Sequence, residues 1–115
     1  MDLPKHVQDK LAQFQNLQNQ VQVVSVQKQQ LMLNRAETDN ALQELGSVGT
    51  ERVFRMIGPL LIETNRDDGL RYLTNEKESS ETKIRLLENQ EKKMVEKLNE
   101  MRGEIQGMLQ PKGAG

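Results

Sequence analysis

The stretch Arg52-Val53-Phe54-Arg55-Met56-Ile57-Gly58-Pro59-Leu60-Leu61-Ile62-Glu63-Thr64 decides the fold of this 115-residue chain. Two short runs rich in β-branched and large apolar residues flank a Gly-Pro pair, the signature of a tight β-hairpin. Neither run is long enough to make a stable helix. On both sides of it the apolar spacing changes from strand-like to heptad.

Counting sevens from Val7 gives the a positions Val7, Phe14, Val21, Lys28, Arg35 and Leu42. The d positions between and after them are Lys10, Leu17, Val24, Leu31, Thr38 and Leu45. Beyond the hairpin, Leu70, Lys77, Ile84, Glu91, Leu98 and Ile105 alternate with Leu73, Ser80, Leu87, Met94, Met101 and Met108. Six heptads per side, mostly apolar at a and d, exceed the three or four that separate a coiled coil from an ordinary amphipathic helix.

The spacing predicts one helix over residues 1–45, turns and hairpin over 46–69, a second helix over 70–109 and a flexible tail at 110–115, in a single domain. Pro4 suits a first helical turn and Asp2 its positive end. Gly46, Ser47 and Gly49 mark the first stop through a left-handed glycine. Asn65 to Gly69 reads as a second turn, with Asp67 and Asp68 favouring the helix start that follows. Forty helical residues extend about 60 Å. Ten Gln between Gln8 and Gln43, none at a or d, make a solvated face of the first helix. On the second, Glu81 with Arg85 and Glu88 with Lys92 have the favourable i,i+4 order, while Gly103 and Gly107 weaken its last turns.

Folding back at the hairpin pairs the two stripes antiparallel with residue numbers summing to about 115. Val7 then meets Met108, Leu17 meets Leu98, Leu31 meets Ile84 and Leu45 meets Leu70. The apolar hairpin cannot bury itself, because a lone two-stranded ribbon is marginal in water and offers two open edges. Val53, Phe54, Met56, Ile57, Leu60, Leu61 and Ile62 are therefore expected to form an oligomer interface, strands from several subunits closing into a barrel.

Composition excludes several functions. Only 35% of residues are hydrophobic and 3% aromatic, too few for a compact single core. Sixteen basic residues against 17 acidic ones leave no field to gather nucleic acid or an anionic membrane. Zero Cys removes disulfides, thiolate chemistry and Cys-based metal sites. His6 stands alone, without a second ligand at metal spacing. No phosphate loop or nucleophile with its base is present, so the chain reads as a binding protein that needs no cofactor, and not as an enzyme. With neither an apolar leader nor a spanning segment, the expected location is cytoplasmic.

A helix of about forty residues, one hairpin around Val53-Phe54-Arg55-Met56-Ile57-Gly58-Pro59-Leu60-Leu61-Ile62 and a second such helix resemble the β class of prefoldin subunits. Leu3-Pro4, Val7-Gln8, Leu11-Ala12-Gln13-Phe14 and Val26-Gln27-Lys28-Gln29 also look like archaeal β subunits and their eukaryotic subunit-6 relatives. A single hairpin favours the β class over the α class. The resemblance implies a hexamer of two α and four β subunits, built on a β-barrel from which coiled coils project. It further implies ATP-independent capture of unfolded proteins at the coiled-coil tips and their delivery to a group II chaperonin.

By position the tip candidates for client binding are Leu3, Val7, Leu11, Met101, Ile105, Met108 and Leu109. Flexible, polarisable Met suits varied apolar segments, although Met94, Met101 and Met108 also fit ordinary d-position core. Val23, Val26 and Leu33 fall at outer positions that a two-stranded coil leaves exposed. The competing reading is a structural or adaptor coiled coil that binds one dedicated partner helix. Exposed, mobile, apolar tips favour the chaperone, and a well-ordered tip that binds only one sequence favours the adaptor.

Overall fold

The computed structural model describes residues 3–49 and 52–110, so the expected roles of Asp2 and of the segment 111–115 lie outside the described residues. The order is α1 (Lys5–Ser47), β1 (Arg52–Ile57), β2 (Leu60–Asn65) and α2 (Arg66–Leu109). The fold is mainly α, two long helices joined through a single antiparallel β-hairpin. Two compact units share it, Gln29–Arg85 and Met1–Lys28 with Leu86–Gly115. We call them the hairpin unit and the terminal unit.

In the hairpin unit, β1 pairs β2 from Arg52 opposite Asn65 to Ile57 opposite Leu60. Gly58 and Pro59 make the two-residue turn, and Gly58 has φ 57°, the only positive φ among the described residues. Gly at the first central position followed by Pro, whose ring holds φ negative, has the sign pattern of a type II′ turn, which matches the twist of the strands it joins.

Cross-strand partners share a face, so Val53, Arg55, Ile57, Leu60, Ile62 and Thr64 lie on one side of the ribbon. This side meets the helices at its open end. Val53 approaches Gly69, and the Arg55 guanidinium lies 4.3 Å from the centroid of the Tyr72 ring.

Both helix boundaries at the hairpin differ from the spacing-based expectation. The second helix begins at Arg66, not Leu70, because Asn65 Oδ1 accepts the Asp68 backbone N–H at 2.7 Å and caps it early. Asp67 and Asp68 occupy its first turn. The first helix runs through Gly46 to Ser47, and no left-handed glycine ends it. Arg66 takes over that task. Its Nε donates to the Leu45 carbonyl at 3.1 Å and its Nη2 to the Gly46 carbonyl at 2.8 Å. Since the last turn of α1 carries no basic residue of its own, the first residue of α2 supplies the cation its carbonyl end favours.

Gly69 is buried inside α2. A Cβ there would lie 3.2 Å from Leu45 Cδ2 and 3.5 Å from Val53 Cγ2, so the missing side chain is what lets α2 approach α1 and β1. Further along this unit the helices bury Leu45, Ser80 and Ile84, all a or d residues, and Lys77 Nζ reaches Asp39 Oδ1 at 2.8 Å.

In the terminal unit α1 begins at Lys5, with Pro4 immediately before it rather than in the first turn. The Pro4 carbonyl accepts the N–H groups of Val7 and Gln8, each at 3.0 Å. Val7, Val24, Leu98, Met101 and Ile105 are buried, again all at a and d. Lys10 pairs with Glu104 at 2.7 Å, in the expected antiparallel register, and Lys28 with Glu91 at 2.8 Å, one helical turn away from it. Gly103 and Gly107 face open space.

The two kinds of helical glycine predict opposite effects. Gly69→Val should destabilise the fold by about 1–3 kcal/mol through overpacking against Leu45. Gly103→Ala should stabilise it by up to about 1 kcal/mol through helix propensity. Chemical denaturation followed by circular dichroism reads both, and equal signs would contradict the assigned environments.

Candidate client-binding and assembly surfaces

Of the seven residues expected at the oligomer interface, six are exposed. Phe54, Met56 and Leu61 share the outer face of the ribbon, and Met56, at 71% exposure, is the most open large apolar side chain named here. Ile57, Leu60 and Ile62 lie on the opposite face, toward the turn, and are also exposed. Val53 is half-buried because it sits at the open end of the ribbon, next to Gly69. Arg52 and Glu63 pair at 2.6 Å on the outer face, a polar border to its apolar centre. Beside β1 an open groove of about 380 Å³ is lined by Ala41, Leu45, Val48, Phe54, Tyr72 and Leu73.

The tip candidates divide differently. Leu3, Met108 and Leu109 are exposed and Leu11 is half-buried. Val7, Met101 and Ile105 are closed into the seam at 2%, 4% and 7% exposure. A seam residue whose opposite helix is in place has no free face, so these three serve as core in this state. Arg102 extends over the half-buried Phe14, 5.9 Å from its ring centroid. Val23, Val26 and Leu33 stand at the solvent side as their heptad positions predict, each more than half exposed.

Electrostatics within each unit follow the interhelical pairs. The hydrogen bond from Lys10, reinforced by its charge, holds the Glu104 carboxyl below the usual glutamate range. Lys28 is raised above the usual lysine range chiefly by its hydrogen bond to Glu91, and Lys77 by its hydrogen bond to Asp39. Each carbon stem runs along the seam while the ammonium reaches a carboxylate at the rim. Among the described residues no group of three or more His, Asp or Glu side chains could hold a metal ion, and no helix is long and apolar enough to cross a membrane.

Two long helices around a single hairpin whose apolar faces stay open are the architecture of one known family, and its model, described as Prefoldin subunit, matches residues 8–112. The chain belongs to the prefoldin family. Prefoldin subunit beta of Thermococcus kodakarensis is 36% identical, the alignment covering 99% of this chain and 98% of that protein. Prefoldin subunit beta of Archaeoglobus fulgidus is also 36% identical, over 96% of each chain. The crystal structure of the prefoldin beta subunit from Thermococcus strain KS-1 superposes with a TM-score of 0.84 at 36% identity, covering 96% of this chain and 97% of that one.

Several contacts in this prefoldin chain escape heptad counting. Lys28 and Glu91 stand out as opposite charges at a positions, yet strict register places Lys28 opposite Leu87, and only the length of the lysine stem closes the remaining turn. Arg66 reads in sequence as a loop arginine, and nothing local marks it as the cap of a helix twenty residues earlier. Arg85 donates to Thr82 Oγ1 at 3.4 Å instead of pairing with Glu81, because an exposed i,i+4 pair is too weak to fix two long side chains.

Glu104 is depressed in the folded state, so its pairing stabilises the fold fully above the ordinary glutamate range and is lost as pH falls through the lower folded value. Lys28 and Lys77 are raised, so theirs is complete below the ordinary lysine range and is lost as pH rises through the higher folded values. Carboxyl-carbon NMR should find the Glu104 midpoint below the ordinary glutamate range. In Lys10→Gln it should move back up toward that range, and an unmoved midpoint would remove Lys10 as the cause.

Proposed function

We propose that this prefoldin chain is a β-class subunit of an ATP-independent holdase. Four copies assemble with two α-class subunits, the hairpins closing into a shared β-barrel. The complex captures unfolded proteins at the free helix ends and passes them to a group II chaperonin in the cytosol, with no catalytic step and no cofactor. The observation that carries the assembly part is the hairpin. Phe54, Met56, Leu60 and Leu61 are each more than half exposed on a ribbon with two open edges. Burying such side chains is worth about 1.5–3 kcal/mol each, which none of the described residues supplies and partner subunits would. Contiguous apolar exposure of this kind marks an interaction surface.

Leu3, Met108 and Leu109 support capture at the tip, since they are apolar, exposed and near the helix ends. One observation favours the adaptor reading instead. Val7, Met101 and Ile105 are closed into the seam, as in a coiled coil that serves one dedicated partner.

Two experiments test the proposal. Light scattering of the chain mixed with an α-class prefoldin subunit should give a hexamer-sized particle, and Phe54→Asp should reduce it to smaller species while helicity is kept. A Phe54→Asp variant that assembles normally refutes the barrel role. Removing residues 1–11 together with 101–115 should leave assembly intact and abolish most of the suppression of aggregation of reduced, denatured lysozyme. Full suppression by the truncated protein would move the client site away from the tips, and a monodisperse dimer indifferent to the α subunit would favour the adaptor.

A further inference from the structure

Arg66 is the first residue of α2 and follows directly on Asn65, the last residue of β2, whereas residues 48–51 separate α1 from β1. The direct mount of the ribbon on the helices is therefore at Arg66. From there its half-buried side chain reaches across to α1, Nε donating to the Leu45 carbonyl at 3.1 Å and Nη2 to the Gly46 carbonyl at 2.8 Å. Two donors of one planar group on two successive carbonyls fix direction as well as distance. The other contacts at the mount are less directional. Val53 and Leu45 lie against Gly69 through apolar atoms, and Arg55 is held over Tyr72 by its charge alone. Leverage makes the angle at the mount matter. The six residues of β2 carry the turn about 20 Å from Arg66. A rotation of about 10° there moves Gly58 and Pro59 by about 3.5 Å, most of the roughly 4.8 Å between paired strands. A strand-pairing hydrogen bond tolerates only about 0.5 Å.

From this we infer that Arg66 is a positioning residue for assembly. Its two hydrogen bonds fix the angle at which the ribbon leaves the helices, and a chain without them folds but joins its partners poorly. The inference rests on the reading of the hairpin as the assembly surface. Arg66 itself touches no partner in this role, and acts through Phe54, Met56, Leu60 and Leu61, which it holds at a set attitude. Closure of strands from several subunits into one barrel raises the demand, because tilt and stagger must agree around the whole circuit and each subunit repeats any error of its mount. A ribbon free to swing would have to be ordered at each association step, and the affinity would fall by that ordering cost.

The test compares the unchanged chain, Arg66→Gln, and Arg66→Gln with Gly103→Ala and Gly107→Ala added to bring its denaturation midpoint back to that of the unchanged chain. Because the sequence has no Cys, Asn40→Cys on α1 and Ile57→Cys at the end of β1 take nitroxide labels selectively. Electron-spin distance measurement on the isolated full chain should give one narrow distribution with Arg66 and a broadened one in both Gln variants. Light scattering against an α-class prefoldin subunit, without labels, should show assembly weakened by about tenfold in both. Stability-matched Arg66→Gln that assembles like the unchanged chain overturns the inference, since Arg66 would then contribute stability alone. An unbroadened distribution in Arg66→Gln overturns it as well. Should the unchanged chain form no complex with the α subunit, the assembly reading falls with the role of Arg66 in it, while a broadened distribution still upholds the clamp on the ribbon.

Discussion

A helix pair can bury only its a and d residues, two in every seven, and the packing of the helices in both units answers to that limit. The buried side chains, Val7, Val24, Leu45, Ser80, Ile84, Leu98, Met101 and Ile105, all fall on the stripe. With so thin an interface, the polar residues placed in it matter as much as the apolar ones. Lys10 pairs with Glu104, Lys28 with Glu91 and Lys77 with Asp39. The signs exchange between helices, cationic on α1 in the terminal unit and cationic on α2 in the hairpin unit. A parallel dimer would set Lys10 against Lys10 and Lys28 against Lys28 of a second copy, so the same charges that are modest in stability select the antiparallel fold-back over that competitor.

The hairpin obeys a different constraint. Two strands have two faces, and the helices cover only the open end of one, through Val53 at Gly69 and Arg55 over Tyr72. The connection is nonetheless stiff. Arg66 ties the last carbonyls of α1 to the first residue of α2, Asn65 caps α2 directly at the end of β2, and Gly69 allows close contact at the junction. No slack separates β2 from α2, so the ribbon is held at a defined attitude to the helix that follows it. Such a mounting reduces the ordering cost of association, which is the role preorganisation plays at an interface.

Much of this was legible in the residues. The heptads from Val7 and Leu70, the Gly58-Pro59 turn and the exposure of Phe54 and Met56 follow from periodicity and from the impossibility of burying a lone ribbon. The helix ends did not follow, for a physical reason. Asn65-Arg66-Asp67-Asp68-Gly69 has turn composition, and whether Asn65 ends a loop or caps a helix depends on what Gly69 packs against. Gly46 likewise has the composition of a left-handed stop, but a guanidinium from twenty residues away satisfies the carbonyls and removes the need for one. The tip candidates divide between open and closed positions for the same kind of reason. Val7, Met101 and Ile105 lie near the helix ends, and that place does not distinguish a residue that caps the seam from one that closes it.

The two apolar surfaces consequently differ in kind. Phe54, Met56, Leu60 and Leu61 are open in the folded chain and none of the described residues covers them, so a monomer carries their cost continuously. Val7, Met101 and Ile105 already have cover, each from the opposite helix, and become available only when that helix is displaced. A ligand that binds there must compete with an intramolecular partner at effectively unlimited supply, which holds its net affinity down and its release rate up. Exposure at the hairpin is thus a standing property of the folded chain, whereas exposure of the seam would require the helices to separate.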